Sequence, residues 1–262
     1  MMKIQSKFLS LFILATVVAF MGCSNDESTG PAPPSDIEGY ISEGWTQYSL
    51  GNAQDAVNSF QLALNLANEE FLDAMGDSLV AASVPDSAAL EEAIARMNLA
   101  RIQTAAITSG FGWASVKDLQ YAAIGALTFD LGIALVEDLE PMNLPDSTEV
   151  YRLHAEMLAG YACLDQLLQQ WQQSNERIAG LLEQDPEWDF DHDNTTNYLD
   201  LRLMSAENYY YLADFPASLS VALELNDALN YNSQLDETDF NLATVQGRTL
   251  LIELIEDLDD LI

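Results

Sequence analysis

Apolar residues recur every three or four positions through most of the chain, the period of a helix with one buried face. The pattern predicts short helices over Asp36–Ser49 and Ala53–Ala67, with Ser35 and Asn52 as caps and the turn Leu50-Gly51-Asn52 between them. After Val84-Pro85 a long helical stretch begins at Asp86 or Ser87 and runs towards Val116. Tyr121–Val136 is apolar almost all round, broken by Asp130, as expected of a helix buried among others and too short and interrupted to span a bilayer. Beyond Pro141 and Pro145, Ser147 to about Leu182 reads as one long or two consecutive helices, with Leu153, Met157, Tyr161, Leu164, Leu168 and Trp171 on one stripe. A polar loop, Gln184–Asn197, precedes helices near Leu199 and Phe215 and a final one from about Glu237. Its stripe of Leu251, Ile255, Leu258 and Ile262 should close the last open face. Few runs alternate as half-buried strands do, and there is no Asn-Gly hairpin turn. The expected class is all-α.

The first residues follow another pattern. Lys3 and Lys7 precede the apolar run Phe8–Met21, then Gly22-Cys23. The run is shorter than the roughly 20 residues a spanning helix needs, and it stands where a signal-peptide core belongs. Gly22-Cys23 resembles the lipobox of bacterial lipoproteins, although Phe20 and Met21 are bulkier than usual there. The resemblance implies a signal peptide over 1–22, lipidation of Cys23, and a membrane anchor of acyl chains (a palmitate-type modification). Ser24 in place of Asp implies outer-membrane sorting, periplasmic or surface-facing. The alternative is an ordinary signal peptide cut near Gly22 or Ser24, which leaves a plain thiol. Residues 23–35, CSNDESTGPAPPS, have the composition of a tether. A single folded domain is then expected over 36–262.

Charge narrows the function classes. The chain has 42 acidic residues against nine basic ones, and loss of Lys3 and Lys7 with the signal leaves seven, a net charge of −35. Nucleic acid and anionic lipid surfaces are excluded as partners for basic patches. Such a surface suits solubility in salt, divalent cations or a basic partner. With Cys23 acylated, Cys163 has no disulfide partner and reads as a small buried residue.

Small residues mark helix crossings in GWTQYSLGNAQDAVNSFQLAL. Gly44 permits close packing, Gly51 ends the first helix, and Ala56, Phe60 and Ala63 lock the second against it. This spacing resembles the tetratricopeptide repeat (TPR), with Ala53 where the turn aromatic is usual and Asn68 where the closing proline is. A weaker copy has Gly112-Trp113, with Phe129, Ala134 and Leu135 echoing Phe60, Ala63 and Leu64 across a short insertion. In a third, Ala206 falls on Gly44, Tyr210 on Tyr48, Leu212 on Leu50 and Ala213 on Gly51. Ser218, Ala222 and Leu225 then take the places of Ala56, Phe60 and Ala63. The resemblance implies a TPR-like α-solenoid of helical hairpins, with an irregular helical bundle as the alternative. The whole chain also resembles bacterial lipoproteins with a Gly-Trp hairpin, a later Gly-Phe-Gly-Trp segment (Gly110–Trp113) and a His-Asp loop leading into a Tyr-rich repeat.

Catalytic motifs are sparse. His154 and His192 are the only histidines, neither lies in a His-Glu-x-x-His motif, and no phosphate-binding Gly-Lys-Ser/Thr loop occurs. Ser109 in SGFG lacks the flanking glycines of a nucleophile elbow. No cofactor and no enzymatic activity are expected. One segment, DFDHDNTTNYLD, places Asp189, Asp191, Asp193, Asn197 and Asp200 at the oxygen-ligand spacing of a calcium loop, with Asn194 in the glycine place. The other reading is an acidic surface loop in which Asn197 or Asp200 caps the next helix. Trp45, Trp113 and Tyr209 are candidate partner anchors, with core packing the reading preferred for both tryptophans.

The expected function is a membrane-tethered envelope scaffold that holds a protein partner, with a basic segment, in a TPR-like groove. The alternative is a lipoprotein that binds a glycan or another small ligand, resembling helical-repeat sugar-capture proteins of the cell surface.

Overall fold

The computed structural model describes residues 34, 36–83, 87–139, 147–192 and 196–262. Among them stand nine α-helices and no strand longer than an isolated bridge, so the protein is all-α. The helices are α1 (Ile37–Ser49), α2 (Ala53–Ala81), α3 (Ser87–Val116), α4 (Ala122–Glu137), α5 (Ser147–Leu167), α6 (Trp171–Gln184), α7 (Tyr198–Tyr211), α8 (Phe215–Leu229) and α9 (Val245–Asp259). Two 3₁₀ turns lie at Leu119–Tyr121 and Glu237–Asp239. The described residues group into two compact units that divide between Gly160 and Tyr161, inside α5.

Helix ends follow local chemistry. Asp36, where Ser35 was expected, caps α1: its carboxylate accepts the Gly39 N–H at 2.8 Å. Ser35 lies outside the described residues. Asn52 stands at the N-terminus of α2 but makes no capping bond; its amide donates to Gln47 Oε1 at 2.9 Å. The final helix starts eight residues later than expected, at Val245, where the Thr244 hydroxyl accepts the Gly247 N–H at 3.0 Å. Of its expected stripe, Leu251, Ile255 and Leu258 are buried and Ile262 is exposed.

α1, α5, α7 and α8 share one way of stopping. Gly51, Gln169, Ala213 and Asn230 adopt φ of 76°, 60°, 60° and 52°. In each turn one amide bonds back three residues and the next bonds back five, as in Asn52 N–H to Gln47 O at 2.9 Å and Gln170 N–H to Asp165 O at 2.7 Å. This is the Schellman arrangement, which needs a left-handed residue just past the helix. It resolves the stretch Ser147–Leu182 into α5 and α6. The expected stripe ends at the turn, where Leu168 is exposed.

In the first unit α1 packs on α2, α2 on α3, and α3 on α4. Two phenyl rings hold these crossings. The Phe60 ring of α2 fills the space a Cβ would need at Gly44 of α1, 2.7 Å from its Cζ, and also the corresponding space at Gly110 of α3. The Phe129 ring of α4 does the same at Gly112 of α3 and Gly160 of α5, each 2.5 Å from the Cβ position. Both rings are fully buried. Glycine is required here by a neighbour's volume; these residues lie in ordinary helix.

α2 continues 14 residues past its expected end. Its distal half packs on the start of α3 through a small separate core of Ala74, Met97 and Ala100, with Phe71 and Met75 against it. The apolar helix α4 lies in the one stretch, among the described residues, long and apolar enough to cross a membrane by length and composition. Within the first unit its Phe129, Leu131 and Leu135 are buried.

In the second unit α6 packs on α7, α7 on α8, and α9 on both. Leu203, Ala206, Leu219, Ala222, Leu225, Leu251 and their neighbours form its core. Small hydroxyls take over from the phenyl rings. Ser174 Oγ donates to Ala162 O at 2.9 Å, and Ser218 Oγ donates to Ala206 O at 2.8 Å. Both pairs are twelve residues apart and lie 44 residues from one another, as do Gln169 and Ala213.

Two substitutions test these roles. Gly112→Ala drives a methyl into the Phe129 ring, and overpacking of this kind costs about 1–3 kcal/mol. Ala213→Gly relieves the cost of a side chain in the left-handed region, a gain of about 1 kcal/mol. Urea unfolding should therefore shift its midpoint down for the first and up for the second.

Candidate functional site

The residues singled out by spacing fall into three places. Gly44, Ala56, Phe60, Ala63 and Gly112 lie in the core of the first unit. Ala206 is buried in the second, Ala213 is the left-handed turn residue after α7, and Tyr210 is half-buried against the second core with Phe215 edge-on at 5.3 Å. Cys23 lies outside the described residues. Cys163 is buried in α5.

Of the proposed partner anchors, Trp113 is 1% exposed and its indole N–H donates to the Glu156 carbonyl at 3.0 Å, so it is a core residue with no face for a ligand. Trp45 is half-buried, edge-on to Phe60 at 5.2 Å and to Tyr48 at 5.5 Å. Tyr209 is half-buried. The exposed tyrosine of the run is its neighbour Tyr211, 58% exposed and stacked on Trp171 with ring centroids 4.8 Å apart and planes at 22°.

The Asp-rich loop closes as a short antiparallel pinch. Asp189 bridges Asn197, and the Tyr198 N–H donates to Trp188 O at 2.8 Å, with Trp188 and Phe190 buried beneath. Asn197 Oδ1 accepts the Leu199 N–H at 2.7 Å and Asp200 Oδ2 accepts the Asn197 N–H at 2.7 Å, a reciprocal cap for α7. Asp189 and Asp191 are exposed, and Asp193 lies outside the described residues. Among the described residues no group of three or more His, Cys, Asp or Glu is set to hold a metal.

Buried polar groups act as fasteners. Ser109 Oγ donates to Glu156 Oε1 at 2.5 Å between α3 and α5, with both side chains inaccessible to a substrate. Arg177 donates to Asp165 Oδ2 at 2.8 Å and lies 3.4 Å over the Tyr161 ring, joining α6 to α5. Asn208 Nδ2 donates to Ser174 Oγ at 2.9 Å and Asn175 Oδ1 at 3.1 Å, joining α7 to α6. Burial lowers the His154 pKa against the opposing pull of Glu137, which favours a neutral imidazole.

Among the described residues, two exposed apolar surfaces are placed to meet a ligand. One is the edge formed by the turns after α5 and α7. There Leu167, Leu168 and Leu212 are exposed, Trp171 and Tyr211 stack, and Gln166–Asn175 and Asn208–Ala213 contain no charged residue. The other is the outer side of α2, with Leu62, Leu66, Leu72, Leu79 and Val80 exposed. In the sequence Leu168 and Trp171 read as part of a packing stripe and Tyr209, in place of Tyr211, as the anchor; Leu62, Leu66, Leu72, Leu79 and Val80 carry no assignment there.

Glu207 offers a pH test of the second unit. Burial raises its pKa, Asp259 acts in the same direction, and a hydrogen bond from Gln166 at 2.7 Å opposes them. A carboxyl raised in the folded state stabilises that state below its unfolded pKa, and the stabilisation is lost as pH rises through the folded value. Glu207→Gln should therefore raise the melting temperature at pH 7. At about pH 3.5, where the carboxyl is protonated in both states, it should leave it unchanged.

No family model, no curated protein and no solved structure matches the chain.

Proposed function

We propose that the protein is a lipid-anchored envelope scaffold, non-catalytic, whose TPR-like α-solenoid hairpins hold a protein partner with a basic segment. The observation that carries this reading is the repeated register of α5–α6 and α7–α8. Left-handed Gln169 and Ala213 and the serine-to-carbonyl bonds of Ser174 and Ser218 recur at a step of 44 residues. Gly51 occupies the same turn position in α1–α2, with Gly44 seven residues before it and Ala56 five after, matching Ala162 and Ser174 around Gln169. The step exceeds the TPR period of about 34 residues, and the loop between α6 and α7 takes up the excess. Repeated hairpins of this kind bury their faces against one another and leave extended surfaces for partner segments.

The anchor belongs to the same proposal. Cys23 carries the lipid and holds the protein at the outer membrane, facing the periplasm or the cell surface. The net charge of −35 on the mature chain attracts a Lys- or Arg-rich segment and speeds its encounter at low salt. A second reading, glycan binding, is favoured by the uncharged Trp171–Tyr211 edge, since an exposed aromatic face among glutamines suits a neutral sugar ring.

The test is in-cell cross-linking of the intact chain, followed by capture and identification. The expected result is one envelope protein, recovered repeatedly and released by salt, with Cys23→Ser abolishing both acyl labelling and membrane retention. Recovery of no protein from folded, lipidated material overturns the scaffold reading. Tryptophan fluorescence quenched by an oligosaccharide, and unaffected by salt, would transfer the proposal to the glycan reading.

A further inference from the structure

The outer side of α2 reverses the usual pattern of a surface helix. Positions 62, 65, 66, 69, 72, 73, 76, 79 and 80 recur at helical spacing, and all nine are exposed. Five carry large aliphatic side chains, Leu79 being 68% and Val80 66% exposed. The opposite side of the helix, through Ala56, Phe60, Ala63, Ala67 and Ala74, is already buried. A solvent-facing stripe is ordinarily polar, and a contiguous apolar one marks a contact surface.

A second observation falls on the same stripe. Gly44, Gly110, Gly112, Gly132 and Gly160 each lie against a side chain that a Cβ would strike, whereas Gly76 has nothing within 4 Å of its Cβ position. Glycine weakens a helix interior relative to alanine, and no neighbour within the first unit calls for it here. A glycine on an apolar helical face lets another helix approach closely.

The charges select the occupant. Glu69 and Asp73 stand among the leucines, so an acidic segment is repelled, including a second copy of this chain at its net charge of −33. We infer that the outer face of α2 docks a basic amphipathic helix, its apolar side on Leu72, Leu79 and Val80, its backbone crossing at Gly76 and its Lys or Arg side chains meeting Glu69 and Asp73. This rests on the scaffold reading and gives it a location and a partner chemistry.

The probe is a labelled model amphipathic helix of Leu and Lys, titrated into the intact chain by fluorescence anisotropy, with a Leu/Glu counterpart as control. The Leu/Lys helix should bind with salt-sensitive affinity and the counterpart should not. Leu72→Gln with Leu79→Gln should weaken binding about tenfold or more, whereas Leu250→Gln on α9 should leave it unchanged. Gly76→Ala should weaken binding while raising the melting temperature, a pairing that general damage to the fold cannot produce. Absence of Leu/Lys binding, or binding indifferent to all three α2 substitutions, overturns the inference. If the partner captured in cells persists with the Leu72→Gln, Leu79→Gln variant, this docking face falls and the scaffold reading stands.

Discussion

The helix crossings of the first unit depend on the fit of a phenyl ring into the space left by two missing side chains. Phe60 occupies the positions where Gly44 and Gly110 would carry a Cβ, and Phe129 those of Gly112 and Gly160. Each ring therefore touches two helices besides its own, and one buried side chain sets two interhelical distances. The arrangement combines the burial of a large aromatic with the close approach that glycine permits. Its cost is the backbone entropy of four glycines in helical conformation. In the second unit, serine hydroxyls bonded to carbonyls of the preceding helix stand at the corresponding crossings. There specificity comes from hydrogen bonds that satisfy buried groups.

These crossings were only partly legible in the sequence. Gly44, Phe60 and Ala63 gave a recognisable hairpin because each residue type has one strong physical reason to be there. Whether Ser147–Leu182 was one helix or two stayed open because Gln169, with no turn propensity of its own, holds the left-handed position that Gly51 holds after α1. The leucines on either side of that turn kept a helical spacing across it. The extent of α2 was hidden for the opposite reason: beyond Ala67 apolar residues appear on both faces, so no single stripe could be followed.

The Asp-rich loop shows why spacing underdetermines chemistry. The three-residue step from Asn197 to Asp200 fits the ninth and twelfth places of a calcium loop, and it is equally the step of a reciprocal helix cap. The structure uses it as a cap. Trp113 and Tyr211 make the related point for aromatics. The tryptophan in the Gly-Phe-Gly-Trp segment is sealed inside, with Gly160 against its ring and its indole N–H on the Glu156 carbonyl, while the last tyrosine of a three-tyrosine run emerges beside a turn. Helical phase, set by tertiary contacts, decides which aromatic can meet a ligand.

The rings and the glycines form one mechanical unit, and a double-mutant cycle on Phe60 and Gly110 puts this to the test. Gly110→Ala and Phe60→Leu are made singly and together, and unfolding free energies are compared. If the ring occupies the glycine's space, the smaller leucine accommodates the added methyl, and the pair is less destabilising than the sum of the singles by about 1–3 kcal/mol. Strict additivity would mean that the two positions do not share this volume, and the ring and the glycine would then act independently.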